Sequence, residues 1–134
     1  MSDFISIIIP VYNSGEQLYD CVKSIQNSTY KHFEIIIVDD GSNDETAKIC
    51  DNCSAECDNV KVYHTENKGV SAARNFGINQ SKGDYITFVD SDDTVEPSML
   101  MELLTACRLN NSEISIIGYR EIYGEDNFKI FTER

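Results

Sequence analysis

Blocks of apolar residues alternate with amphipathic segments along the chain. Continuous apolar runs rich in β-branched residues, such as Ile5–Val11 and Phe33–Val38, predict strands that are buried on both faces. The segments between such runs repeat apolar residues at helical spacing, as the segment around Leu18 does. The predicted strands are Ile5–Val11, Phe33–Val38, Val60–His64, Tyr85–Val89 and Ile114–Gly118. Strands that alternate with helices predict right-handed βαβ units and a mainly parallel sheet within one domain, residues 1–134.

Turn and capping residues indicate where the predicted helices begin and end. Asn13-Ser14 is a candidate N-cap for the first helix, and Asp39–Asp44 has the composition of a turn that leads into the second. Gly83 lies just past the predicted third helix, and Pro97 suits the first turn of the fourth. A terminal hairpin is predicted from Tyr119–Tyr123 and Phe128–Phe131, with Gly124-Glu125-Asp126-Asn127 between them.

The net charge of the chain is −12, which disfavours binding to nucleic acid or to anionic lipid. An anionic ligand would therefore need a divalent cation to reach this protein. The apolar runs are too short to span a bilayer. The opening MSDFISIIIPVYN has no basic leader and carries a proline in its apolar run, so no signal peptide is expected. These features predict a cytoplasmic location.

The five cysteines favour reduced thiols, because their number is odd and no leader precedes them. Cys50, Cys53 and Cys57 are spaced i, i+3, i+7. They form either one apolar face of a helix or three ligands of a zinc site whose fourth ligand is His64. The helix-face interpretation is favoured, because structural zinc sites usually show paired ligand spacings.

Polar residues follow three of the predicted strands. They are Tyr12-Asn13, Asp39-Asp40 and Asp90–Asp93, while Lys68 and Arg74 follow another strand. The carboxyl ends of parallel strands form the ligand crevice of open α/β sheets, so we expect these residues to converge. Clustered carboxylates repel one another unless a cation offsets the repulsion, and oxygen ligands suit Mg²⁺, Mn²⁺ or Ca²⁺. Helix capping by the acids after the fourth strand, and simple turn formation by Asp39-Asp40, remain alternatives.

Four motifs in this order resemble those of the family 2 glycosyltransferases, which have the GT-A fold. They are SIIIPVYN at Ser6–Asn13, EIIIVDDGSNDET at Glu34–Thr46, NKGVSAARNFGI at Asn67–Ile78 and GDYITFVDSDD at Gly83–Asp93. The resemblance covers nearly the whole chain. It implies a Rossmann-like α/β fold with a mainly parallel sheet, helices on both faces and a C-terminal hairpin.

The resemblance also implies an activity. Such enzymes transfer a sugar from a nucleotide-diphospho-sugar, usually a UDP-sugar, to an acceptor hydroxyl with inversion, assisted by Mn²⁺ or Mg²⁺. The expected acceptor is a glycan or a lipid-linked saccharide, as in the synthesis of bacterial surface polysaccharides. Many members work at the cytoplasmic face of a membrane, so the full-length protein is expected to associate with one peripherally.

Matched residue by residue, the resemblance implies specific roles. Tyr12 packs against the nucleobase, Asp39 accepts hydrogen bonds from it, and Arg74 lies near the nucleotide. Asp90 faces the ribose or the metal, and Asp92 is the main metal ligand. Pro10 completes the expected nucleotide site, while Asp40 and Asp93 fit a site role and a structural role equally well.

The general base of the family is expected beyond residue 134. Glu121, Glu125 and Asp126 are acids near that end, but their context does not match the family's base. We therefore expect the chain to be the donor-binding half of an enzyme, which binds nucleotide weakly and does not turn over.

Other protein classes fit the sequence less well. A receiver-type signalling domain would carry paired acids after the first strand and a lysine after the fifth, where this chain has Tyr12-Asn13 and Gly118-Tyr119-Arg120. A dinucleotide-binding oxidoreductase would carry a glycine-rich turn after the first strand, and a nucleotidyltransferase would carry a glycine-rich and basic loop there. A catalytically inactive nucleotide-binding relative remains an alternative, although the acids at the strand ends are intact.

Overall fold

A computed structural model describes residues 3–109, 114–120 and 126–133, and the side chains of residues 3–108. The strands are β1 Ile5–Val11, β2 Phe33–Asp40, β3 Val60–Thr65, β4 Tyr85–Phe88, β5 Ile114–Arg120 and β6 Asp126–Glu133. The helices are α1 Gln17–Gln26, α2 Thr46–Glu56, α3 Val70–Gln80 and α4 Met99–Leu109.

The strands form one mixed sheet in the order β3-β2-β1-β4-β6-β5. The first four of these strands are parallel, and β6 runs antiparallel to both β4 and β5. The predicted α/β fold and mainly parallel sheet are therefore confirmed. Each parallel strand is followed by a helix that returns the chain to the same edge, so the strands' carboxyl ends face the same way.

The predicted terminal hairpin exists with different boundaries. The predicted fifth strand and the first residues of the hairpin form one strand, β5, and β6 begins at Asp126, which the sequence placed in the turn. The prediction for residues 121–125 lies outside the described residues. β6 also inserts between β4 and β5, so the hairpin closes the sheet on the β4 side.

The two faces of the sheet bury different apolar sets. Ile7 and Ile9 of β1 belong to the larger cluster, which includes the buried residues of α1, α2 and α4. Ile8 faces the opposite side and packs in a smaller cluster with Ala73 of α3. The alternation follows the two-residue period of a strand, so the prediction of helices on both faces is confirmed. Gly77 lets α3 lie close to the sheet, because a Cβ there would stand 2.5 Å from Ile8 Cγ2.

Two predicted helix boundaries are wrong. The helix α1 begins at Gln17 without a side-chain cap, and Asn13 instead adopts φ 50° in the loop before it. Gly83 does not end α3, because that helix stops at Gln80. The Gly83 N–H donates to Ser6 Oγ, and a Cβ at Gly83 would lie 2.6 Å from the Ser6 backbone nitrogen. Long-range contacts rather than capping therefore explain these two residues.

The cysteines of α2 belong to the core. Cys50 and Cys53 are buried there, and burial raises their pKa values to about 12 and about 11. Cys57 is partly buried and packs against the same cluster. His64 bonds to carboxylates, and within residues 3–108 the grouping suited to a metal consists of aspartates. The helix-face interpretation is confirmed, and the zinc alternative is wrong. None of the helices in the described part of the chain is both long and apolar enough to cross a bilayer.

Candidate active site

The carboxyl ends of β1, β2 and β4 lie side by side at one edge of the sheet. Val11 at the end of β1 pairs with Asp39 of β2, and β4 pairs with the other side of β1. Tyr12 follows β1 directly, and Asp90 lies two residues beyond β4. The structure therefore brings together the polar segments that were predicted to converge.

A cleft of about 340 Å³ opens at this edge, on the side of the sheet that α3 covers. Its lining includes Pro10 and Tyr12 from the β1 end, Asp40 from the β2 end, and Gly69 and Val70 from the start of α3. Tyr12 and Val70 are 47% and 51% exposed, although large apolar side chains are more often buried. The cleft thus offers mainly apolar walls with one carboxylate, a surface suited to a planar heteroaromatic ring.

Asp40 ties the cleft to the loop before α3. Its Oδ1 accepts the Lys68 N–H at 2.8 Å, and its Oδ2 accepts the Gly69 N–H at 3.0 Å. Gly41 packs beside this loop with φ 74°, where a Cβ would lie 2.7 Å from the Asn67 nitrogen. Asp40 therefore has the structural role that the sequence left open, and it also lines the cleft.

Asp39 lies next to Asp40 in the chain, but its side chain is not among those that line the cleft. It is 2% exposed, and it points to the face of the sheet opposite that of Asp40, because successive strand residues alternate. Its Oδ1 accepts the Ser42 N–H at 3.0 Å, and its Oδ2 lies 2.8 Å from His64 Nδ1. His64 Nε2 lies 2.7 Å from Asp51 Oδ1 on α2. Hydrogen bonds to Asp51 and then to Asp39 raise the pKa of His64.

The loops after β1 and β2 are locked to each other. Asn13 Nδ2 donates to Asn43 Oδ1 at 2.9 Å, and the Asn43 N–H donates back to Asn13 Oδ1 at 3.0 Å. The Asn13 N–H also donates to Ser42 Oγ at 3.0 Å. These bonds hold Asn13 in its left-handed backbone conformation, which a residue other than glycine adopts at some cost. They fix the chain immediately after Tyr12.

Three acidic side chains cluster beyond β4. Ligand oxygens of Asp90, Asp92 and Asp93 all lie within 4.8 Å of one another. The segment forms a turn in which the Asp93 N–H donates to the Asp90 carbonyl at 3.0 Å. Helix α4 begins only at Met99, so the capping alternative for these acids is excluded. Three carboxylates this close, and not used as a helix cap, have the donor set of a hard divalent cation.

Arg74 of α3 lies beside the acidic cluster. Its Nη2 is 3.7 Å from Asp90 Oδ1, and its guanidinium stands 5.7 Å from the ring centroid of Phe88. The Nε of Arg74 is buried and has no hydrogen-bond partner in the described part of the chain. A buried donor of this kind is costly unless a ligand supplies an acceptor, and a phosphate oxygen is such an acceptor.

Sequence reasoning missed the residues that hold this site in place. Ser42, Asn43 and Asp51 had no predicted role at the site, and His64 was considered only as a zinc ligand. Their partners lie 13 to 30 residues away in the chain. The one available signal was the density of Asn, Asp and Ser in two loops predicted to meet at the same edge of the sheet.

The sequence model described as glycosyl transferase family 2 matches residues 6–134. The chain belongs to this family. Glycosyltransferase GlyG of Streptococcus pneumoniae is 44% identical over 120 residues, which are 89% of this chain and 40% of GlyG. Glycosyltransferase GlyA of the same organism is 40% identical over 119 residues, which are 89% of this chain and 17% of GlyA. The chain thus spans less than half the length of these two relatives.

Solved structures of glycosyltransferases share the fold. TarS of S. aureus, residues 1–349, superposes with a TM-score of 0.74 and 29% identity over 82% of this chain and 34% of that one. It has also been solved with UDP-GlcNAc. A mannosyltransferase of Pyrobaculum calidifontis, solved with GDP-Man and Mn²⁺, gives a TM-score of 0.67 at 20% identity over 72% of this chain and 30% of that one. The GT-A fold predicted from the sequence is confirmed.

Proposed function

We propose that this chain is the donor-binding part of a glycosyltransferase. The enzyme transfers a sugar from a UDP-sugar to a hydroxyl of a glycan or a lipid-linked saccharide, with inversion and with a divalent metal. The observation that carries the proposal is the pairing of an apolar cleft with a cluster of three aspartates at one sheet edge. A nucleoside diphosphate has the same two parts, a flat base and a metal-binding diphosphate.

The cleft takes the nucleobase. Tyr12 and Val70 supply the apolar surfaces on which the ring lies, and Pro10 forms part of the wall. Asp40 supplies the acceptor that faces the base, because it lines the cleft and Asp39 does not. This assignment moves the base-reading role, which the resemblance gave to Asp39, by one residue. A uracil offers an imino N–H to such an acceptor, and the related TarS was solved with UDP-GlcNAc.

The acidic cluster and Arg74 take the diphosphate. Asp92 is the main metal ligand, and Asp90 shares the ion or faces the ribose. Arg74 lies beside Asp90, and its guanidinium, on a side chain that is 41% exposed, donates to a phosphate oxygen. A net charge of −12 otherwise repels the donor, so a cation is needed for the diphosphate to approach. The donor set fits Mn²⁺ or Mg²⁺.

Sugar transfer leaves a nucleoside diphosphate with additional negative charge. A bound Mn²⁺ or Mg²⁺ would stabilise that charge as a Lewis acid. Arg74 adds a fixed positive charge close to the same group. Inversion requires a general base on the opposite face of the sugar. We do not assign that role to any of the described residues at this sheet edge.

We place the general base and the acceptor site outside residues 1–134, because the matched relatives are more than twice as long as the region they share with this chain. The chain then acts as a single nucleotide-sugar-binding domain that binds the donor without transferring it. The proposed setting is the cytoplasmic face of a membrane, with peripheral association of the full-length protein.

Isothermal titration calorimetry with UDP, GDP and CDP, in Mn²⁺ and in EDTA, tests the proposal. UDP is expected to bind in Mn²⁺ and to lose at least about 10-fold in affinity in EDTA. Arg74→Gln and Tyr12→Ala are each expected to weaken UDP binding, whereas Lys48→Gln removes an exposed positive charge from α2 as a matched control for Arg74→Gln. Equal UDP affinity with and without metal would contradict the metal-bridged diphosphate.

A further inference from the structure

A continuous chain of hydrogen bonds runs behind the cleft, from α2 to the residue after Tyr12. Asp51 Oδ1 contacts His64 Nε2 at 2.7 Å, and His64 Nδ1 contacts Asp39 Oδ2 at 2.8 Å. The other oxygen of Asp39 accepts the Ser42 N–H at 3.0 Å, and Ser42 Oγ accepts the Asn13 N–H at 3.0 Å. These contacts link α2 and β3, through the end of β2, to the loops after β2 and β1.

Both ring nitrogens of His64 face carboxylate oxygens, which only accept hydrogen bonds, so both nitrogens carry protons in this arrangement. The raised pKa of His64, due to Asp51 and then Asp39, agrees with this geometry. Cys50 also lies near Asp39, but burial raises its pKa to about 12, so it stays a neutral thiol.

The two hydrogen bonds of His64 differ in how much their loss would cost. Asp39 is 2% exposed, so the loss of a donor there leaves a buried oxygen without that partner. The side chain of Asp51 is 64% exposed, and water can replace its partner. The Nδ1–H contact to Asp39 is therefore the one that the arrangement depends on.

We propose that His64 is a positioning residue for Tyr12, acting through Asp39, Ser42 and Asn13. The Nδ1–H of His64 fixes the buried Asp39 carboxylate, which holds the loop after β2. That loop holds Asn13 in its left-handed conformation and so sets the direction of the adjacent Tyr12 ring. This inference rests on the proposed function, because it assigns Tyr12 to the nucleobase cleft, and it adds a residue outside the cleft that controls base binding.

The test distinguishes the effect of Nδ1 from that of Nε2, and binding of the nucleobase from binding of the diphosphate. His64→Asn places an amide donor near the position of Nδ1, His64→Gln places one near that of Nε2, and His64→Leu has no donor. Each variant is titrated with UDP and with inorganic pyrophosphate in Mn²⁺, because pyrophosphate reaches the metal end only. His32→Leu, a change of the other histidine of the chain, is the control.

Leu and Gln at position 64 are expected to weaken UDP binding by about 3- to 10-fold, and Asn is expected to bind UDP like the wild type. Pyrophosphate affinity is expected to stay the same in all three variants. A general loss of structure would weaken both ligands together, and that result overturns the inference. Wild-type UDP affinity in His64→Leu also overturns it, as does rescue by Gln instead of Asn.

Should His64→Leu not fold, as judged by circular dichroism, the contrast between the Asn and Gln variants decides alone, since both keep a polar amide. A wild-type chain that binds neither UDP nor pyrophosphate in Mn²⁺ refutes the proposed function and this inference with it. Equal UDP affinity of His64→Asn and His64→Gln refutes the inference and leaves the proposed function intact.

Discussion

The acidic cluster beyond β4 should lower the stability of the metal-free protein, and one substitution can test this. Asp92→Asn keeps the size and shape of an exposed side chain but removes its charge. Ligand oxygens of Asp92 lie within 4.8 Å of those of Asp90 and of Asp93, so two repulsive pairs are lost. If these acids serve a cation and not the fold, the variant should be more stable than the wild type in EDTA.

The magnitude follows from Coulomb's law. Two unit charges 4.8 Å apart repel by about 0.9 kcal/mol in a water-like dielectric. Screening by about 0.1 M salt reduces each pair to roughly 0.5 kcal/mol. Two pairs give about 1 kcal/mol of stabilisation for Asp92→Asn in EDTA, equivalent to an increase in Tm of about 3–5 °C for a domain of this size.

In Mn²⁺ the order of stability should reverse, so that the wild type is more stable than Asp92→Asn. The wild type regains stability when the ion neutralises its three carboxylates, and the variant regains less because it has lost a ligand. UDP affinity in Mn²⁺ should fall at least about 10-fold in the variant. Differential scanning calorimetry in EDTA and in Mn²⁺, with UDP titrations under both conditions, measures each effect. Asp58→Asn, which removes an exposed charge outside the cluster, is the control.

A lower Tm of Asp92→Asn in EDTA, together with unchanged UDP binding in Mn²⁺, would refute the reasoning. That result would mean that the Asp92 carboxylate stabilises the turn itself. Capping of α4 would not explain such a result, because that helix begins only at Met99.

Three further predictions concern the fold around the site. The pKa of His64 is raised above 6.5 by its carboxylate partners, Asp51 first, so its stabilising contribution is complete below about pH 6.5 and is lost as pH rises through the folded-state value. Urea unfolding of the wild type should show a loss of stability over that pH window, and the loss should be smaller in Asp51→Asn. An equal loss in both proteins would mean that the contact between His64 and Asp51 is not formed. Gly77→Ala should destabilise by about 1–3 kcal/mol in urea despite its better helix propensity, because the new methyl meets buried Ile8 at 2.5 Å; a stabilised variant would contradict that contact. Cys50 should resist iodoacetamide at pH 8 in the folded chain and react in urea, because its pKa is about 12; rapid labelling without urea would contradict its burial.

The amino-acid sequence determined the layout of the fold. The continuous isoleucine runs of β1 and β2 are buried on both faces, which is the environment that such runs predict. Alternation of these runs with amphipathic segments was enough to predict a parallel sheet with polar residues at its carboxyl ends. The family motifs occupy those ends, so the convergence of Tyr12, Asp40 and Asp90 followed from the order of the elements.

Only the tertiary structure decided which of two adjacent carboxylates faces the cleft. Successive residues of a strand point to opposite faces, so Asp39 and Asp40 lie on different sides of the sheet although their chemistry is identical. The sequence shows the pair but not which face of the sheet carries the cleft. In the same way, the roles of Asn13 and His64 depend on partners 25 to 30 residues away. Local propensity has no access to such contacts, because they exist only after the sheet has brought distant loops to one edge.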